Sequence, residues 1–222
     1  MHPTNNILHL AHQVGKFCIG MEGNVSARHH ENFVIKSSGV KLSDMTSDDI
    51  SHYTMDGELY IGRKGSIETD FHRMIYRLCP EVNFVAHTHP INTLKILCGN
   101  KSLLLDFANR RLYPEQVIFN GPKSSLTYYR KPGKPLAEFI RTTLNYYFEE
   151  NNSFPKLMLL ENHGIIALGK TAKECIAITE TCEKAAEVFL GALSTGKIRY
   201  LSEESVTELL EDENEKYRMS LV

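Results

Sequence analysis

The sequence predicts an α/β protein in which helices cover one sheet, much of it antiparallel. Three observations lead there. Helical stripes and short apolar strands interleave along the chain. Several strand pairs are separated by tight turns, the connection that antiparallel neighbours use. No internal repeat or low-complexity tract breaks the alternation. At 222 residues the chain can bury one substantial core and is too short for two comfortable ones, so residues 1–222 are expected to form one domain.

The elements follow in order. From Asn6 to Ile19, apolar residues at Ile7, Leu10, Ala11, Val14, Phe17 and Cys18 form a helical stripe, with Asn5 or Asn6 as its cap and Gly20 as its end. Val25–Arg28 and Phe33–Lys36 read as strands around a polar turn at His29–Asn32, and Ser37-Ser38-Gly39 stops the second. Thr46-Ser47-Asp48-Asp49 resembles a capping box and predicts a short helix near Ile50. Asp56-Gly57 between Tyr53 and Leu59-Tyr60-Ile61 signals a hairpin. Ser66 is expected to cap a helix in which Ile67, Phe71, Met74, Ile75 and Leu78 line one side and Pro80 ends the run.

The strand Phe84–His89 comes next, then a helix from Ile91 to Cys98. The stretch from Leu103 to Tyr129 shows apolar runs but no clear period. A helix is expected from Lys134 to about Tyr147, and Leu157–Leu160 and Ile165–Leu168 read as strands around Glu161-Asn162-His163-Gly164. Thr171-Ala172-Lys173-Glu174 is a capping box opening a long helix to about Leu193. Ser202 starts a last helix, and the acidic tail Glu211–Glu215 is expected to be solvated.

Composition excludes several partners. Twenty-five basic against 27 acidic residues leave a formal charge of −2 without a basic stripe, so no nucleic acid is implied. No apolar run approaches the ~20 residues that span a bilayer, and the N-terminus lacks the basic and apolar regions of a signal peptide. The five cysteines form no C-x-x-C pair and are odd in number, which fits buried thiols in a reducing cytoplasm.

The chemistry concentrates on a few positions. In an extended strand, His87 and His89 project from the same face, and Pro90 stops the ladder beside them. An isolated His-x-His is more often a polar pair on an edge strand. With His163, however, the chain offers three nitrogen donors and room for a fourth ligand, the pattern of a catalytic zinc site. Nitrogen ligation also admits manganese, iron or cobalt. Asn-His-Gly alone is equally a turn in which histidine takes an unusual backbone angle. Glu68 in a first helical turn is favoured by the helix dipole and is also a candidate acid–base group. Gly23-Asn24, Ser38-Gly39 and Ser66 serve turns and caps, or cradle an anion. His72 reads as structural, and His9, His12, His29, His30 and His52 as surface or packing residues.

Taken in order, Gly23-Asn24-Val25-Ser26-Ala27-Arg28, Ser37-Ser38-Gly39, Ser66-Ile67-Glu68, His87-Thr88-His89-Pro90 and Asn162-His163-Gly164 resemble the class II aldolase/adducin-head family over essentially the whole chain. The resemblance implies a three-layer α/β/α fold with a mostly antiparallel central sheet, usually assembled as a homotetramer. It implies that His87, His89 and His163 hold a divalent metal, zinc first and Mn2+, Co2+ or Fe2+ as alternatives. Glu68 matches the acid–base carboxylate, and Gly23, Asn24, Ser38, Gly39 and Ser66 match positions that bind a substrate phosphate. The implied reaction is cleavage or formation of a C–C bond in a sugar or sugar phosphate through a metal-stabilised enediolate. A sugar-phosphate 4-epimerase, another lyase such as a decarboxylase, and a non-catalytic module like the head of adducin are the alternatives. Ile67 stands where the sugar-phosphate aldolases often carry a second serine. The family's proton-donating tyrosine, supplied by a neighbouring subunit, is not assigned among Tyr113, Tyr128 and Tyr129.

Overall fold

The structure is a computed structural model that describes residues 3–222. Its sheet is built from β1 (Asn24–His29), β2 (Asn32–Lys36), β3 (Ile50–Thr54), β4 (Leu59–Ile61), β5 (Phe84–Thr88), β6 (Ser125–Thr127), β7 (Leu157–Leu160) and β8 (Gly164–Gly169). They lie in the order β4-β3-β2-β1-β5-β8-β7-β6, antiparallel throughout except for β6 beside β7. The expected mostly antiparallel sheet is therefore present, with one parallel edge.

Helices cover both faces. On one side lie α1 (Pro3–Val14), α3 (Ile91–Leu97), α4 (Lys101–Asn109) and α7 (Ala172–Ser194). On the other lie α2 (Thr69–Leu78) and α6 (Lys134–Asn151). Successive strand residues alternate between the two cores: Val85 packs with α2 and α6, Ala86 with α1 and α7, and Ile165 and Ile166 divide in the same way. Burial on both faces is why these strands read as continuous apolar runs. The three layers implied by the family resemblance are thus formed.

Several expectations need correction. Helix α1 begins at Pro3, ahead of Asn5 and Asn6, because proline suits a first helical turn; it stops at Val14 and tightens into a 3-10 turn over Gly15–Phe17. The helix after Ser66 begins only at Thr69, with Glu68 at its N-cap position rather than inside its first turn. Ser66 Oγ instead accepts from the Glu68 N–H at 3.2 Å. Ile67 leaves the apolar stripe and is 67% exposed, while Phe71, His72, Ile75 and Tyr76 form the buried side.

The stretch without a clear period is regular after all. It holds α4, α5 (Pro114–Asn120) and β6, and its helices are too short for a helical period to emerge from the sequence. The acidic tail opens a further helix, α9 (Glu213–Ser220), after α8 (Glu203–Glu211), with Asp212 accepting from the Asn214 and Glu215 amides. The boxes at Thr46 and Thr171 both cap as expected, the first over a single 3-10 turn at Ser47–Asp49. Among the described residues no helix is long and apolar enough to cross a membrane.

Candidate metal centre

Sheet register assembles the site. Asn24 on β1 pairs with His87 on β5, and His87 pairs on its other side with Ile166 on β8. Strand β8 starts directly after the β7–β8 turn that carries His163. The turn closes by the His163 N–H donating to the Leu160 carbonyl at 3.1 Å. The left-handed residue in it is Asn162, with φ 54°, not the histidine. Two strand ends and a hairpin thus converge at one edge of the β5–β8 ladder.

There the ligating atoms of His87, His89 and His163 lie within 4.8 Å of one another. His87 Nδ1–H donates to the Ile165 carbonyl at 2.9 Å, which leaves Nε2 as a lone pair. That lone pair faces His89 Nε2 at 3.0 Å. Pinning of the far ring nitrogen by a carbonyl is how metal-binding histidines are usually oriented. Glu68 completes the cluster: Oε2 lies 3.2 Å from His87 Nε2, and Oε1 lies 3.3 Å from His163 Nε2. Glu68 Oε1 and His163 Nδ1 are buried without a hydrogen-bond partner. Three converging imidazoles and an undersatisfied carboxylate have the chemistry that a divalent cation satisfies, so the donor set fits one.

The surroundings keep His87 and His163 neutral. His87 is fully buried, and burial, then the neighbouring His89, push its pKa down to about 3. Burial and His87 push His163 down to about 4, against the pull of Glu68. Neutral imidazole is the ligating form. Unfolded histidines take up protons near 6.5, whereas these resist, so the unfolded chain binds more protons below that pH. Stability of the metal-free protein should therefore fall as the pH drops from about 6.5 toward 3. Each such histidine should cost about 2 kcal/mol by pH 5. Denaturant midpoints of metal-free protein at about pH 7.5 and about pH 5 read this directly, and equal midpoints would contradict it.

Gly164 makes the packing of the rings feasible. A Cβ there would lie 2.5 Å from His89 Cδ2 and 2.5 Å from the Thr88 carbonyl oxygen. Gly164→Ala is expected to destabilise the fold by about 1–3 kcal/mol and to weaken metal binding by displacing His89. Thermal unfolding together with a metal titration checks both effects; an unchanged affinity would show that His89 keeps its place. After His89 the chain turns into α3, where Glu183 of α7 accepts from the Asn92 and Thr93 amides, both at 2.9 Å.

Of the expected anion-binding residues, Asn24 and Ser66 join the cluster. Asn24 Nδ2 donates to Glu68 Oε2 at 2.8 Å and to Ser66 Oγ at 3.1 Å. Gly23 packs against the end of β5, where a Cβ would meet the His87 carbonyl at 2.8 Å. Ser38 and Gly39 lie on the exposed turn after β2. Tyr113 donates its hydroxyl to the Thr181 carbonyl, and Tyr128 and Tyr129 are exposed.

The model of the class II aldolase and adducin N-terminal domain family matches residues 8–190. The chain belongs to that family. Among its relatives, the L-fuculose phosphate aldolase of Methanocaldococcus jannaschii is 29% identical over 79% of this chain and 87% of its own. The 3-oxo-tetronate 4-phosphate decarboxylase of Haemophilus influenzae is 30% identical over 87% of this chain and 88% of its own. Among solved structures, YgbL of Escherichia coli superposes with a TM-score of 0.78 at 26% identity. That match covers 92% of this chain and 96% of YgbL.

Sequence reasoning missed two residues around the centre of this class II aldolase-family chain and gave a third only a structural role. Lys36 at the end of β2 is buried, and its ammonium donates to the Met21 carbonyl at 3.3 Å and to the Val40 carbonyl. It ties the Gly23-Asn24 loop to the Ser38-Gly39 loop, and burial lowers its pKa. A lysine in a strand just before Ser-Ser-Gly was the available signal. Glu22 Oε2 lies 3.3 Å from His89 Nδ1, behind the ring, where a carboxylate orients a ligand. His72, read as structural, is buried beside Asn24 and so touches the machinery indirectly.

Proposed function

We propose that the protein is a class II aldolase, an aldehyde-lyase that needs a divalent metal and cleaves or forms a C–C bond in a sugar phosphate. The observation that carries this reading is the meeting of His87, His89 and His163 within 4.8 Å, with Glu68 3.2–3.3 Å from two of them. In this reading the three histidines hold the ion, zinc first and manganese, cobalt or iron(II) as alternatives. When bound, the ion supplies Lewis-acid stabilisation of the negative charge that develops on the substrate's carbonyl oxygen.

The chain's own residues do the rest. Glu68 takes up and returns the proton at the carbon that loses its partner. Asn24, donating to Glu68 Oε2, holds the carboxylate in place for this exchange. Ser66 and the backbone around Gly23, Ser38 and Gly39, with the charge of Lys36 between the two loops, bind the phosphate. A homotetramer in the cytoplasm, where the five free thiols stay reduced, accompanies this reading.

A second reading, decarboxylation of a 3-oxo sugar acid phosphate, is favoured by one feature. The 3-oxo-tetronate 4-phosphate decarboxylase of Haemophilus influenzae matches this chain at 30% identity over 87% of this chain's length, as well as the aldolases do. Both reactions break a C–C bond next to a carbonyl and ask the same of Glu68.

The test is metal analysis of purified protein, then a screen of phosphorylated and free ketoses and 3-oxo acids with zinc, manganese or cobalt. About one divalent ion per chain and aldehyde release from a ketose phosphate are expected. CO2 release instead favours the decarboxylase. An absence of metal binding and turnover would leave a non-catalytic interaction module.

A further inference from the structure

Strand β1 and the segment that runs from Glu68 into α2 face each other with matched periods. On β1, Asn24, Ser26 and Arg28 share one face at a spacing of two residues, roughly 6.6 Å. On the facing segment, Glu68, His72 and Tyr76 recur every four residues, roughly 6 Å apart along a helix axis. The two ladders interlock. Ser26 Oγ lies 2.6 Å from His72 Nδ1 and 2.7 Å from the Tyr76 hydroxyl, and His72 Nε2 meets Asn24 Oδ1. Arg28 closes the far end by donating to the Tyr76 carbonyl at 2.8 Å. Ser26 and His72 are fully buried, and Tyr76 is nearly so.

Only one set of proton positions satisfies every member. Asn24 must turn its amide nitrogen toward Glu68 Oε2 and Ser66 Oγ, both of which accept, so Oδ1 faces His72 and accepts. His72 Nε2 therefore carries the hydrogen, and Nδ1 is a lone pair. Ser26 must then donate to Nδ1 and accept from the Tyr76 hydroxyl. Each donor points toward Glu68, and the chain ends on one carboxylate oxygen.

We propose that His72 is a positioning residue that, through Asn24, commits Glu68 Oε2 to accepting a hydrogen bond and leaves Oε1 as the oxygen that carries the exchanged proton. The proposal rests on the reading of Glu68 as the acid–base group. Oε1 is the buried carboxylate oxygen without a hydrogen-bond partner. His72 exchanges no proton itself; it sets the direction of the Asn24 amide. Without it, Asn24 is free to reverse and present its oxygen to the carboxylate.

Long-range 1H–15N NMR of metal-free protein labelled at histidine reads the relay without any substrate. The resonance lost in His72→Gln identifies His72, which is expected as the Nε2–H tautomer. An Nδ1–H tautomer would overturn the proposal. In turnover, His72→Phe is expected to lower kcat by roughly 10–100-fold while KM and bound metal stay within about twofold. His72→Gln, whose amide nitrogen falls near the place of Nε2, should recover much of the loss. In an Asn24→Ala background, His72→Phe should have little further effect, because the group it orients is gone. Full additivity, or loss of metal by His72→Gln, would show a merely structural role and sink the idea. If His72→Phe does not fold, the wild-type tautomer and His72→Gln carry the test. If no ketose or oxo acid is turned over, the proposed function fails while the tautomer still decides whether the relay exists.

Discussion

Replacing His89 by alanine is expected to abolish metal binding and C–C bond cleavage while leaving the fold intact. His89 lies just past the end of β5, outside both hydrophobic cores, so its loss takes a ring from the histidine cluster and leaves those cores intact. What is lost is one of three nitrogens in a cluster that His87 and His163 cannot complete. Two imidazoles alone do not hold a divalent ion in an open site, and Glu68 recruited as a third ligand would no longer be free to exchange a proton. The charge stabilisation such a centre provides is usually the largest single contribution to a reaction of this class. Turnover should therefore fall by on the order of 10³-fold or more. Circular dichroism and thermal unfolding should match the parent protein, and elemental analysis should find little bound metal. Parental metal content with parental turnover would remove the three-histidine centre from the account.

Glu68→Gln should separate proton transfer from metal binding. Glutamine has the same shape, and its amide oxygen can still accept from Asn24 Nδ2, which now donates to Oε2 at 2.8 Å. The three histidines are untouched, so bound metal should stay near the parental level. What disappears is a group that can take up a proton and return it, a general acid–base contribution of roughly 10²–10⁴-fold. Exchange of the substrate's reacting C–H with deuterated solvent measures that step alone. Parental exchange rates in Glu68→Gln would mean that another group carries the proton. Loss of metal instead would make Glu68 a ligand first.

These two variants also separate an enzyme from a non-catalytic module. An aldolase and a decarboxylase both need the centre that His89→Ala removes. They differ in whether aldehyde or CO2 leaves, which the substrate screen distinguishes. A non-catalytic module would be indifferent to both substitutions.

Much of this was legible along the chain, for reasons that can be named. The strands β5, β7 and β8 are continuous apolar runs because both of their faces are covered. The Thr171 box works because a side-chain cap and its helix are neighbours in sequence; Thr171 Oγ1 accepts from the Glu174 amide at 3.0 Å. His87 and His89 share a face through the period of two alone. Less was legible between Leu103 and Tyr129, where α4, α5 and β6 span nine, seven and three residues. Such short elements owe their form to tertiary packing more than to propensity.

The start of α2 shows where local signals compete. A serine followed by an apolar residue and a glutamate reads as a cap and a first turn. In the fold, Ser66 and Glu68 are drawn toward Asn24, and helical geometry is delayed to Thr69. The same pull leaves Ile67 in solvent. Lys36 escaped notice, and His72 read only as structural, because their partners lie on other strands and loops; buried hydrogen bonds of that kind leave no periodic trace.

The sequence by itself determined the layered α/β class, the shared face of His87 and His89, and the presence of a third histidine and a carboxylate to join them. These follow from backbone periods and from residue types that carry chemistry in few contexts. Only the tertiary structure decided that His163 and Glu68 reach the pair, that His87 offers Nε2 and not Nδ1, and that Asn24 and His72 stand behind the carboxylate. Each of those facts depends on register across β1, β5 and β8 and on the docking of α2. Register is set by which side chains fill the space between sheet and helix, a property of the packed whole that no single segment contains.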